Sequence, residues 1–502
     1  MRIAMVGGGA AAVSLLDSLL TVNPGGVALD LCVYEPGELG QGLAFADDLD
    51  CALINLPNGR MSIRDAERDH FLRWLERPAV PFPPGIDVRP DGFAPRRIFG
   101  RYLREHFAAC RAAAREQGWR VGVRPETVLE VARGGDGGLL VRSDRGTRAY
   151  THVVLGVGPG GPADPYRLAG APNHIAGPYP LKKRLPEVDR GAHVLIVGTG
   201  LTAVDTVLGL LASGHQGRVT MVSRNGVLPE VLAPAREWRR LHLTGEGLDQ
   251  RRGTDGRLGR RAVIDLLREE LSAAGFDARA ELDWYRRGRS AAGYLRHQLT
   301  HPEANLVQSL LLSLPTPLAR AIRAALPDED VALMLGGYKP TLRSLQCPMP
   351  PGTARTLLAA MDSGRLTVLA GVREVRAAHG AFTALAGDAV VTAEVAVDAT
   401  RASPARTRGP QGRLVAALDR NGLAAWDAYG GLRTDPVTAR LDPRLNLFAI
   451  GELTAGDIYY ASSLPAVNRG ANAVAKALLT PQLTPQPTRR PTRNRPATDL
   501  AG

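Results

Sequence analysis

Arg2-Ile3-Ala4-Met5-Val6-Gly7-Gly8-Gly9-Ala10-Ala11-Ala12 is the stretch whose reading decides the fold. Residues 2–6 read as a short buried strand, and the glycines end it. An apolar helix is predicted near 10–22, then a second strand near 28–35, which makes a β-α-β unit. Within it stands Gly7-x-Gly9-x-x-Ala12. Gly7 permits the tight turn after the strand. Gly9 has no side chain, so a diphosphate can reach the backbone. Ala12 lets the helix pack close to the sheet. Free N–H groups and the helix dipole then meet the phosphates at the helix N-terminus. Glu35, ending the second strand, is placed to bind ribose hydroxyls.

The same order recurs further along, at 193–197, 198–200, 201–213 and 218–223. Here the turn is Gly198-x-Gly200-x-x-Ala203, and the second strand ends in Val222-Ser223-Arg224-Asn225. No carboxylate stands where one would hold a ribose 2′-OH. The Ser223 hydroxyl and the Arg224 guanidinium instead suit a 2′-phosphate, which favours NADPH over NADH. A third signal, Gly451-Glu452, follows another buried strand-like run, Leu447-Phe448-Ala449-Ile450.

Around these motifs the expected fold class is α/β, with two Rossmann-type dinucleotide-binding domains and a helical insertion. The expected division is a first dinucleotide domain at 1–165, a second at 185–400 carrying an arginine-rich helical insertion at about 232–345, and a return to the first domain at 401–480. Between the two turns, helices are expected near 66–76 and 97–116, with strand-like runs near 119–132 and 138–143. The breaker cluster from Gly156 to Pro162 marks a crossing within roughly 159–190. Later runs at 366–369 and 389–398 read as strands, and 465–479 as the last helix. From Pro481 the chain is Pro, Thr, Gln and Arg, a composition that reads as a disordered tail.

Composition narrows the function. The net charge of +12 is almost wholly arginine, since lysine occurs only at 182, 183, 339 and 476. Only 5% of residues are aromatic, so basic and aromatic residues do not cluster as nucleic-acid recognition requires. No apolar run reaches membrane-spanning length. Cys32, Cys51, Cys110 and Cys347 form no C-x-x-C or metal spacing, and the ten histidines are scattered, so no metal site is expected. A reduced cytoplasmic compartment follows.

Four further stretches give the chain a family likeness: Gly40-Gln41-Gly42-Leu43-Ala44-Phe45, Leu53-Ile54-Asn55-Leu56-Pro57, Pro95-Arg96-Arg97-Ile98-Phe99-Gly100-Arg101-Tyr102-Leu103, and Gly198-Thr199-Gly200-Leu201-Thr202-Ala203-Val204-Asp205. With them the chain resembles the bacterial FAD/NAD(P)-binding proteins related to flavin-dependent monooxygenases, including amino-acid N-hydroxylases, over most of 1–480. The resemblance implies FAD at the first turn and NADPH at the second. It implies that Gly42, Asn55 and Arg96 lie close to the flavin, and that the acid of Gly451-Glu452 binds its ribityl or phosphate region. One departure is Ala399-Thr400-Arg401, where such proteins often carry Ala-Thr-Gly.

The expected activity is that of an NADPH-consuming monooxygenase. It would hydroxylate a small substrate, possibly at an amino-acid or amine nitrogen, through a flavin hydroperoxide, with dioxygen as the acceptor. Arginines of the insertion, Arg343 for example, would hold a substrate carboxylate. The run Asp457-Ile458-Tyr459-Tyr460-Ala461-Ser462-Ser463 would face the flavin pocket. A flavin reductase serving a partner or small acceptor, and a non-catalytic dinucleotide sensor, stand as alternatives. The substrate, the catalytic residues and the oligomeric state are not legible.

Overall fold

The computed structural model describes residues 1–23, 26–77, 82–83, 85–135, 137–280, 290–401, 404, 407–455 and 461–480. The tail from Pro481 and the run 456–460 therefore lie outside the described residues.

The first half supplies β1 (Arg2–Val6), β2 (Asp30–Tyr34), β3 (Arg120–Arg124), β4 (Val128–Arg133), β5 (Leu139–Ser143), β6 (Gly146–Tyr150) and β7 (His152–Leu155). The second supplies β8 (His174–Ile175), β9 (Val194–Val197), β10 (Val219–Val222), β11 (Leu366–Leu369), β12 (Val372–Ala378), β13 (Ala381–Ala386), β14 (Ala389–Ala393) and β15 (Val395–Asp398). β16 (Leu447–Ala449) closes the set.

Two parallel sheets result. One runs β16-β7-β1-β2-β3, the other β11-β10-β9-β15-β8. Each sheet has the same plan. A central strand leads into a glycine turn and a helix, and its neighbour follows in sequence: β1 with β2, and β9 with β10. A third strand extends the sheet on that side, β3 or β11. A three-stranded antiparallel sheet comes next, β4-β5-β6 or β12-β13-β14. The chain then returns to the other side of the central strand, as β7 or β15. The repetition thus reaches beyond the glycine motifs to the whole of each half.

Burial explains why the central strands are so apolar. Ile3, Ala4 and Met5 are fully buried, as are Val194, Leu195 and Ile196. A parallel strand covered on both faces reads as a continuous hydrophobic run. The helix Ala10–Val22 buries Leu15, Leu16 and Leu19 against the first sheet, each worth roughly 1.5–3 kcal/mol. The last helix, Leu464–Leu479, lies against it. Ser14 Oγ donates to Asn468 Oδ1 at 3.0 Å, and Asn468 Nδ2 donates to the Ser62 carbonyl at 2.9 Å. The C-terminal helix is therefore part of the first half, 454 residues away in sequence from its partner.

The elements differ from the sequence reading in detail. The run 119–132 holds two strands, β3 and β4, which belong to different sheets. The run 389–398 likewise divides into β14 and β15 at Glu394. The hairpin β12–β13 was not foreseen. Its solvent side carries Arg373, Glu374 and Arg376, which blur the alternation of a half-buried strand. The insertion is helical, from the helix Gly245–Asp249 to the helix Lys339–Gln346. No described helix is long and apolar enough to cross a membrane.

Candidate functional site: two glycine turns on one plan

At the end of β1, Gly7 has φ +99°, the left-handed region that favours glycine. Its N–H donates to the Tyr34 carbonyl at 2.9 Å, and a Cβ there would stand 2.7 Å from the Gly156 carbonyl oxygen. The protein itself demands glycine at this position. Gly9 is different. It caps the helix with φ −78°, a value any residue adopts, and a Cβ would meet nothing closer than Gly42 Cα at 3.5 Å. No side chain caps this helix and no acid stands in its first turn. Ala12 is 1% exposed, as close helix–sheet packing requires. Glu35 reaches back over the turn, accepting from Gly8 N at 2.8 Å and Gly37 N at 2.9 Å. Gly42, at φ +56°, faces Gly9 across this gap, and Asn55 is half-buried.

The second turn repeats the arrangement. Gly198 has φ +121°, donates to the Val222 carbonyl at 2.8 Å, and a Cβ there would stand 3.2 Å from the Ala399 carbonyl oxygen. Gly200 caps the helix Leu201–Ala212, again with no side-chain cap and no acid in the first turn. A Cβ at Gly200 would meet nothing within 4 Å. No protein contact calls for glycine at Gly9 or Gly200. A diphosphate laid against the backbone would, and both bare helix ends have the geometry to receive one. Ala203 is fully buried.

Beyond the second turn, Ser223 Oγ accepts from Gly226 N at 2.9 Å and from Thr199 Oγ1 at 3.0 Å. It holds the loop after β10 in place. Arg224 is exposed, its backbone pinned by Gly371 N at 3.0 Å. The structure brings Gly198, Gly200, Ser223 and Arg224 to one end of the second sheet.

Gly451, at φ +75°, follows β16, and Ile450 N donates to the Leu155 carbonyl at 2.8 Å. Glu452 is ion-paired with Arg401. Arg401 is not among the residues with left-handed φ, so its backbone does not need the glycine found there in similar proteins. It contributes a charge instead. Burial lowers its pKa, Glu452 opposes that, and the neighbouring charge of Arg343 adds to it. Lys339 is lowered by burial and then by Arg343. Lys339 and Arg343 of the insertion thus share the electrostatic neighbourhood of the Arg401–Glu452 pair. Among these, sequence reasoning had picked out Arg343 and the pair-forming Glu452, but not their convergence.

Arg96 stands apart from the group. Its Nε donates to the Leu53 carbonyl at 3.0 Å, one terminal nitrogen donates to Tyr179 OH at 3.0 Å, and the other meets Asp205 Oδ2 at 2.7 Å. All three guanidinium nitrogens are engaged by protein. The same side chain makes a contact between the two halves. Tyr179 and Asp205 were not read from the sequence as a site, although Asp205 closes the second glycine motif.

Residues 4–160 match a family model described as FAD-NAD(P)-binding. No curated protein sequence matches the chain. Among solved structures, the ornithine N-hydroxylase KtzI of Kutzneria sp. 744 is similar at 14% identity and TM-score 0.52, with 95% of this chain and 98% of that one covered. The FAD-bound cadaverine monooxygenase DfoA of Erwinia amylovora is similar at 14% identity and TM-score 0.54, with 99% of each chain covered. The bacillithiol disulfide reductase Bdr of Staphylococcus aureus is similar at 11% identity and TM-score 0.51, covering 95% of this chain and 98% of that one. At such identities the likeness is one of fold. The chain shares the overall fold of these flavin-dependent oxidoreductases, both monooxygenases and a reductase.

Proposed function

We propose that this protein is an FAD-dependent, NADPH-consuming monooxygenase that hydroxylates a small substrate, at an amine nitrogen in the first instance. In this reading the amides at Gly9 and Ala10 receive the FAD diphosphate and Glu35 its ribose, while Gly42, Asn55 and Gly451 border the flavin. Gly200 and the helix behind it receive NADPH, with Ser223 and Arg224 on its 2′-phosphate. Bound flavin would supply the redox chemistry between the nicotinamide, dioxygen and the substrate.

The observation that carries the reading is the state of the cysteines. Cys32, Cys51, Cys110 and Cys347 are all unpaired. Burial pushes the Cys51 thiol up to about 11, with the Asp205 and Asp48 carboxylates adding to it. Burial takes Cys110 to about 12 and also raises Cys347. A dithiol relay needs two neighbouring sulfurs, one of them a ready thiolate. The raised thiols of Cys51, Cys110 and Cys347 do not suit that role, which favours a small diffusible acceptor for the electrons.

For the substrate, a cleft of about 500 Å³ opens where the segment after Asn55 meets the insertion, between Pro57 and Phe93 on one side and Val231, Pro234 and Leu299 on the other. That is room for a small molecule. Arg60 and Arg355 in its lining favour one that carries a carboxylate. An amine nucleophile must lose its proton at the site, and the same positive field favours the neutral form.

The test is oxygen uptake by the FAD-loaded protein with NADPH and a panel of amines and amino acids. A substrate that accelerates uptake and returns as its hydroxylated product supports the reading. NADPH oxidation that responds to artificial electron acceptors but to no substrate would instead mark a reductase. Binding of both dinucleotides with negligible turnover would mark a sensor.

A further inference from the structure

Between the two halves lies a group of polar side chains that the proposed chemistry does not use. Arg96 opens the helix Arg96–Glu116 in the first half. Tyr179 stands in the crossing segment, and Asp205 lies in the helix Leu201–Ala212 of the second half. Tyr179 OH donates to the Asp205 carboxylate, and Arg96 bridges both at 3.0 and 2.7 Å. Asp205 is only 4% exposed. The Arg96 guanidinium also lies over the Tyr179 ring, 5.7 Å from its centroid.

The surroundings fasten the same joint. Asp48, from the first half, accepts from Leu181 N and Lys182 N, each at 2.8 Å. Lys182 is ion-paired with Asp47. Ala52 is buried in the second half's core with Leu181, Leu185 and Val204, and Leu49 and Cys51 pack against it. The loop 47–53 is thus plugged into the other half, and Arg96 N donates back to the Ala52 carbonyl at 2.8 Å.

The joint is wired to both glycine turns. Phe99, Tyr102 and Leu103 of the Arg96 helix share a core with Ala12, Leu15 and Leu16 of the first glycine-started helix. Asp205 belongs to the second glycine-started helix itself, five residues after its cap, about 7.5 Å along the axis. A helix is stiff over that length. Fixing Arg96 against Asp205 therefore fixes one dinucleotide turn relative to the other. Turning one half against the other would strand a buried carboxylate without its cation, a strongly disfavoured state.

We propose that Arg96, Tyr179 and Asp205 are positioning residues: a buried lock that holds the two dinucleotide-binding halves in one orientation, so that a hydride can pass between their ligands without rotation of the halves. This rests on the two-dinucleotide reading of function. The lock acts through geometry, because hydride transfer depends on donor and acceptor being held in near-attack range.

The test uses the full-length protein loaded with FAD, in the variants Asp205→Ala, Arg96→Lys and Tyr179→Phe. Anaerobic flavin reduction by NADPH is followed in stopped flow. Asp205→Ala is expected to slow the limiting rate about 30-fold while the NADPH concentration for half-maximal rate stays within about twofold. Tyr179→Phe, which keeps the packing, should slow it about threefold, with Arg96→Lys between the two. Independently of turnover, hydrogen–deuterium exchange over 176–184 should rise about tenfold in Asp205→Ala, with 10–22 and 201–212 unchanged. A folded Asp205→Ala or Tyr179→Phe protein with wild-type limiting rate and wild-type exchange at 176–184 overturns the lock. If Asp205→Ala does not fold, Tyr179→Phe decides by the same two readouts. A parent protein that no nicotinamide dinucleotide reduces refutes the functional reading, and the exchange experiment still judges the lock by itself.

Discussion

The two halves of this chain are built on one plan and differ where a ligand would be read. Each has a central parallel strand, a left-handed glycine pressed on a carbonyl of the returning strand, and a bare helix end. In the first half the acid Glu35 reaches over the turn, accepting from Gly8 N at 2.8 Å. In the second the corresponding strand end carries Ser223, which braces its loop, and the exposed Arg224. The shared part is what any diphosphate needs; in the proposed reading the unshared part separates a ribose hydroxyl from a phosphate. A second difference lies at the return strand. The first half passes Gly156 and continues through glycines, whereas the second passes Ala399 and ends in Arg401, which pairs with Glu452 of the first half. The second half also bears the insertion, tied to it by Glu230. That carboxylate is fully buried and accepts from Tyr294, Gln298 and Asn305.

The sharpest way to break the likeness is Gly7→Ala. Its left-handed φ and the 2.7 Å approach to the Gly156 carbonyl leave no room for a methyl group. We expect a loss of about 2–3 kcal/mol and a protein that purifies without yellow colour. The equivalent Gly198→Ala has a looser 3.2 Å contact and should keep its FAD with a smaller loss of Tm. Equal damage to flavin content from both would mean that the two turns are not assigned to separate ligands.

Arg224→Ala is next in size. Removing a charge-assisted contact to a phosphate should raise KM for NADPH about 30-fold and leave NADH almost unaffected. Steady-state kinetics with both reductants measures this, and an equal rise for the two would sink the 2′-phosphate assignment.

Gly200→Ala probes the bare helix end. The new methyl group meets nothing within 4 Å, so stability should stay within about 0.5 kcal/mol of wild type. NADPH should nevertheless bind about tenfold more weakly, because the methyl group stands where the diphosphate approaches. Unchanged NADPH binding would move the ligand away from this turn.

The smallest effect concerns the insertion. Burial raises the Glu230 acid to about 7 against the ordinary 4.5, although the hydrogen bonds from Tyr294, Gln298, Asn305 and Ser344 pull it down. The folded protein then keeps a proton that the unfolded chain loses near pH 4.5. Stability from this group is therefore present at acid pH and declines as pH rises from about 4.5 to about 7. Glu230→Gln should flatten that part of the Tm profile, and a slope identical to wild type would rule the carboxyl out as its source.

How much of this was legible follows from range. Gly7, Gly9, Gly198 and Gly200 could be read because a strand, a turn and a helix start are local, and glycine has few other reasons to sit there. The two antiparallel sheets were partly lost, since short half-exposed strands such as β12 carry charges that mask their alternation. Arg96 was noticed in the sequence, but its contact with Asp205 was not. Its partner Asp205 lies 109 residues on, derived from their numbers, and no spacing rule links an arginine at one helix start to an acid in another domain's helix. Glu452 and Arg401 met only through the return of β16 to the first sheet.

By itself, then, the sequence determined two strand–glycine-turn–helix units, because backbone geometry at a glycine turn is dictated by the residues in it. Tertiary structure alone decided how those units face each other and which charges converge between them. Those contacts join segments whose separation along the chain carries no record of their distance in space.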